Sequence, residues 1–99
     1  MIVDDEPDIL FILGTALQKW NIPHKTFGNP LKALESFETA PQNYSMVLTD
    51  IRMPGMNGLE LASKILMIRP NIPLMLMTAF EIPPNELGIR REQVFAKTV

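Results

Sequence analysis

"SMVLTDIRMPGMNGLELASKIL", residues 45–66, begins as one kind of structure and ends as another. Met46, Val47 and Leu48 form an unbroken apolar run between Ser45 and Thr49. Such a run suits a strand covered on both faces, as the central strands of parallel sheets are. Pro54-Gly55 then reads as a turn and Asn57 as a helix N-cap, after which Leu59, Ala62, Ile65 and Leu66 mark one face of a third helix. A buried strand that turns sharply into an amphipathic helix is half of a βαβ unit. It leaves Asp50 at the carboxyl end of the strand.

The same alternation extends in both directions. Met1-Ile2-Val3 is a short first strand, and Pro7 opens a first helix that runs to about Trp20 with Ile9, Leu10, Leu13, Ala16, Leu17 and Trp20 on one face. Residues 24–27 read as a second strand, with the lone histidine, His24, as a surface residue of that strand rather than a ligand or phosphodonor. Asn29 is then an N-cap, Pro30 the first helical residue, and Leu31, Leu34 and Phe37 the apolar positions of a second helix that ends before Pro41. "IPLMLMTA", residues 72–79, is a fourth buried strand ending near Thr78, with Met75 and Met77 as core packing. Pro83-Pro84 confines any fourth helix to a short segment from near Pro84 to around Gly88, and "QVFAK", residues 93–97, reads as a fifth strand.

Composition limits the function classes. Ninety-nine residues, 46% of them hydrophobic, bury one core and are too few for two domains. The absence of cysteine excludes a disulfide scaffold and a thiolate metal site, and fits a reducing, cytoplasmic setting. A net charge of −2 with both signs interspersed gives no nucleic-acid footprint. No apolar run reaches membrane-spanning length, and the first residues lack the pattern of a signal peptide, so neither export nor anchoring is expected.

The strand ends carry the chemistry. In an open parallel sheet the carboxyl ends of the strands face one crevice. Strands one, three, four and five would bring Asp4 and Asp5, Asp50, Thr78 and Lys97 to that crevice. Carboxylates gathered at one point repel, and a hard divalent cation offsets the repulsion. Mg²⁺ in particular is held by one or two carboxylates while keeping waters and phosphate oxygens as its other ligands. Each residue also has a bland explanation. Asp4 could favour the helix N-terminus, as we read Glu6 and Asp8 to do, and Asp50 could cap a turn. Thr78 could sit in a strand by propensity, and Lys97 could be a solvated strand-end lysine. Taken together the four positions favour a site. Met53 and Met56 flank it and are expected to be partly exposed.

In order and near-usual spacing, with a short interval between Thr78 and Lys97, "VDDEPDI", "LTDIRMPGMNGLEL", "LMLMTA" and "FAK" resemble the motifs of response-regulator receiver domains of two-component signalling, over almost the whole chain. The resemblance implies a flavodoxin-like α/β fold, a doubly wound five-stranded parallel sheet of order 2-1-3-4-5. Against that fold the chain lacks the fifth helix and part of strand one, and so reads as one receiver domain, 1–99, truncated at both ends. The resemblance further implies Mg²⁺ bound directly by Asp5, Asp50 and the backbone carbonyl of Arg52, with Asp4 acting through water. Asp50 would accept a phosphoryl group from a sensor histidine kinase or phosphotransfer protein, assisted by Thr78 and Lys97, and the resulting change would be read by a downstream protein partner. Val94 stands where the family commonly has an aromatic residue, and Thr98 where it usually has proline.

Two rival functions stay open from the sequence. A degenerate receiver would serve only as a protein-interaction module. An aspartyl-phosphate phosphohydrolase would need a second acid two residues after its nucleophile, and Arg52 stands there, so a switch is expected rather than a turnover enzyme. Self-association through an open sheet face is a further expectation.

Overall fold

The computed structural model describes residues 1–78, with only the backbone of Thr78, together with the backbone of residues 94–96. Five parallel strands, β1 (Ile2–Val3), β2 (Thr26–Phe27), β3 (Val47–Asp50), β4 (Leu74–Thr78) and β5 (Val94–Ala96), form one sheet in the order β2-β1-β3-β4-β5. Among the described residues three helices, α1 (Pro7–Lys19), α2 (Pro30–Thr39) and α3 (Gly58–Ile68), connect the first four strands, with a short 3-10 turn at Pro41–Asn43. The expected α/β class, the parallel sheet and its strand order are therefore observed. The short fourth helix, Thr98 and the side chain of Val94 lie outside the described residues.

Strand direction reverses its progress across the sheet after β2, because β3 pairs with β1 on the side away from β2. Right-handed crossovers then put α1 on one face and the following helices on the other. Alternation along the strands shows the division. Val3, Val47, Leu74 and Leu76 join Ala33 and Phe37 of α2 and Leu61, Ala62 and Ile65 of α3 in one buried core. Ile2 and Leu48, of opposite parity, face α1, where Leu13, Leu17, Trp20 and Met46 help line an apolar groove.

The helix boundaries follow the local chemistry read from the sequence. The Asn29 side chain accepts from the backbone N–H groups of Leu31 at 2.8 Å and Lys32 at 3.3 Å, and Pro30 occupies the first helical position. Asn57 accepts from Glu60 N–H at 2.9 Å and so caps α3. Removing such a cap costs about 1 kcal/mol. Asn29→Ala should therefore lower the stability measured by urea unfolding by about that amount without changing the slope of the transition.

Four details of the sequence reading are corrected. Leu31 is 57% exposed, and the buried face of α2 is Pro30, Ala33 and Phe37. At 3.6 residues per turn, six positions leave Leu31 about 120° away from Phe37. Trp20, the C-cap of α1, shares the groove with Leu13 and Leu17 but is 68% exposed. His24 precedes the two-residue strand β2 instead of belonging to it, half-buried with its ring beside Gly14 of α1. Leu61, absent from the expected face of α3, is fully buried, whereas Leu59 and Leu66 only flank the core.

Candidate metal centre

Register brings the acidic residues together. Val3 pairs with Thr49 across the parallel β1–β3 ladder, so the next residues, Asp4 and Asp50, emerge side by side at the carboxyl edge of the sheet. This edge is the point where the strand order reverses, with β1 and β3 leading to connections on opposite faces. Carboxylate oxygens of Asp4, Asp5 and Asp50 all lie within 4.8 Å of one another. Asp4 is fully buried and Asp50 nearly so at 5% exposure, while Asp5 is exposed and opens the cluster to solvent.

Backbone groups fix the two buried carboxylates. Asp4 Oδ1 accepts from Glu6 N–H at 2.9 Å, in the turn that leads into α1, so Asp4 orders the helix entry as well as facing the cluster. Glu6 occupies the N-cap position of α1 with no side-chain cap bond, and Asp8 lies in the first turn, which places both at the positive end of the helix dipole. Asp50 Oδ1 accepts from Ile51 N–H at 2.9 Å. That N–H also points to Met77 O at 3.2 Å, and Asp50 O accepts from the hydroxyl of Thr49 at 3.0 Å.

The start of α3 closes over the same place. Gly58 N–H donates to Ile51 O at 2.7 Å. A Cβ added to Gly58 would overlap the Asp50 carbonyl oxygen and lie 2.8 Å from the Asp50 carbonyl carbon and 2.9 Å from Ile51 Cα, so only glycine fits against this peptide. Gly55, with φ of +87°, makes the reversal that brings the chain back, as the expected turn requires. One consequence overturns the expectation for the flanking methionines. The returning loop carries Met53 and Met56 inward, and both are buried in the core.

The donor set suits a hard cation. Two charges at 4.8 Å repel by about 3 kcal/mol at an effective dielectric near 20, and a divalent ion among the three carboxylates removes that repulsion. All the donors are carboxylate oxygens, with no sulfur or imidazole in the cluster, which matches the preference of Mg²⁺ over softer metals. Arg52 is exposed beside the cluster. Thr78 is placed by its backbone at the end of β4, paired with Ala96 of β5. Its side chain and the whole of Lys97 lie outside the described residues.

A family model described as "Response regulator receiver domain" matches residues 1–88 of the chain. The chain belongs to the response regulator receiver family. Among receiver-containing relatives, the response regulator receiver protein CpdR of Brucella abortus is 35% identical over 98% of this chain and 82% of its own length. The DNA-binding transcriptional regulator NtrC of Escherichia coli is 38% identical over 79% of this chain, which spans only 16% of NtrC. The solved receiver TrrA of Thermotoga maritima, in complex with Mg²⁺ and BeF, superimposes with a TM-score of 0.79 at 33% identity, over 96% of this chain and 79% of that one. In a second structure TrrA is bound to the histidine kinase ThkA, and there the TM-score is 0.80 at 31% identity, over 98% of this chain and 83% of that one.

Sequence reasoning found every member of the acidic cluster and missed the two residues that hold Asp50 from behind, Thr49 and Gly58. A polar residue at a core parity in an otherwise apolar strand was the available signal for Thr49. Among the described residues no helix is long and apolar enough to cross a membrane.

Proposed function

We propose that this receiver domain accepts a phosphoryl group on Asp50 from a histidine kinase or phosphotransfer protein in a Mg²⁺-dependent reaction, and that the phosphorylated form is read by a protein partner in the cytoplasm. The observation that carries the reading is the convergence of Asp4, Asp5 and Asp50 at the reversal point of the sheet, two of them buried. Structural need alone does not account for it, because two buried like charges side by side oppose folding.

Each residue has a role. Asp5, Asp50 and the Arg52 carbonyl would hold the ion, with Asp4 acting through water. When bound, Mg²⁺ supplies positive charge that screens the carboxylates and the incoming phosphoryl oxygens from each other. An Asp50 oxygen attacks phosphorus as the phosphorus–nitrogen bond of the donor phosphohistidine breaks, and the imidazole leaves with the bond pair. Lys97 pairs with a phosphoryl oxygen, and the Thr78 hydroxyl donates to another, which couples the phosphate to β4. TrrA, bound to a kinase in one structure and to Mg²⁺ with BeF in another, supports the donor class and the ion. The exposed Arg52 stands where a phosphohydrolase would want its second acid, which favours a switch over a turnover enzyme.

Intact mass after incubation with acetyl phosphate tests the reading. The chain should gain one phosphoryl group in the presence of Mg²⁺ and none in EDTA. An unmodified mass under both conditions would contradict the reading.

A further inference from the structure

Thr49 is a fully buried polar residue in a strand whose neighbours Val47, Leu74 and Leu76 are apolar. Valine would fill the same volume without a hydroxyl to satisfy, and a buried hydroxyl is costly unless it is bonded. Its bond goes to the Asp50 carbonyl oxygen, the atom that also excludes any side chain at Gly58. Both contacts fall on the single peptide plane between Asp50 and Ile51. The other end of that plane, the Ile51 N–H, holds Asp50 Oδ1. A peptide unit is rigid, so whatever fixes its C=O also fixes its N–H.

We infer that Thr49 and Gly58 are positioning residues for Asp50: they clamp the 50–51 peptide, which in turn sets the orientation of the acceptor carboxylate. Thr49 acts from the core side through its hydroxyl. Gly58 acts from the start of α3 by close approach and by its N–H bond to Ile51 O at 2.7 Å, which also anchors the chain just before Arg52. The carboxylate is thereby aimed before any ion or phosphoryl group arrives, as preorganised sites require. The inference rests on the reading of Asp50 as ion ligand and acceptor.

Thr49→Val keeps the shape and removes the hydroxyl, and Thr49→Ser restores a hydroxyl with less bulk. Ile65→Val, about two turns further along α3, trims the core without touching the clamp and shows what lost stability alone does. Two readouts are taken, the Asp50 side-chain carboxyl ¹³C resonance in metal-free protein and the Mg²⁺ dissociation constant. Thr49→Val should shift the resonance and weaken Mg²⁺ binding roughly two- to tenfold, the equivalent of one hydrogen bond. Thr49→Ser should restore both, Gly58→Ala should move both at least as far as Thr49→Val, and Ile65→Val should move neither. An unshifted resonance in Thr49→Val, a shifted one with unchanged Mg²⁺ affinity, or the same changes in Ile65→Val would overturn the clamp. A wild-type chain that binds no Mg²⁺ would remove the metal reading, and the metal-free resonance would then decide the clamp alone.

Discussion

Mg²⁺ at ten times its dissociation constant is expected to raise the melting temperature of the chain by about 6–11 °C. Binding to the folded state alone contributes RT ln(1 + [L]/Kd), about 1.4 kcal/mol under that condition, and a domain of this size gains about 4–8 °C per kcal/mol. The effect depends on carboxylates that only the fold brings together, since Asp50 is separated by β2, α1 and α2 from Asp4 and Asp5 in the chain. Asp5→Asn should abolish most of the rise. Asp8→Asn should preserve it, because Asp8 belongs to the first turn of α1 and not to the cluster. Thermal melts of the three proteins with and without Mg²⁺ make the comparison, and equal responses in the two variants would contradict the metal centre.

Replacing Asp50 should have an all-or-none effect on phosphoryl acceptance. Asp50→Asn keeps the size of the side chain but leaves an amide that is no nucleophile toward phosphorus, so the mass gain seen with acetyl phosphate and Mg²⁺ should vanish. Thr78→Ala should behave differently. It should still take up phosphate but lose much of the conformational response, because in the proposed role the hydroxyl would bond to the phosphoryl group after transfer and not receive it. Intact mass measures the first effect. Amide spectra of β4 and its neighbours, compared before and after phosphorylation, measure the second.

Parts of the fold governed by neighbouring residues were legible along the chain. The apolar run at Val47 and Leu48, the Asn57 cap and the Pro54-Gly55 turn each act over a few residues, and all three appear where the sequence placed them. The carboxylates were legible for a related reason. A strand end is a local feature, and parallel strands collect their carboxyl ends at one edge. The order of the strands was not legible from periodicity and came from the resemblance. Contacts made after the chain returns on itself were missed. Met53 and Met56 looked like loop residues beside a crevice, but Gly58 packs on the Asp50 peptide and draws the loop inward, burying both. His24 and Trp20 were misplaced because a two-residue strand and a helix end leave too few periods to count. Thr49 stood at a core parity in an apolar strand, but threonine is an ordinary strand residue, and its role shows only in the buried bond to Asp50 O.

Locating the phosphate in the sequence decides whether Asp50 is the acceptor. After incubation of the wild-type chain with acetyl phosphate and Mg²⁺, borohydride reduction converts an aspartyl phosphate to homoserine, which fragment masses then place in the sequence. A single acid-labile, hydroxylamine-sensitive modification, reduced to homoserine at position 50, is expected. A stable phosphate mapped to Thr78, or a labile one mapped to His24, would contradict it.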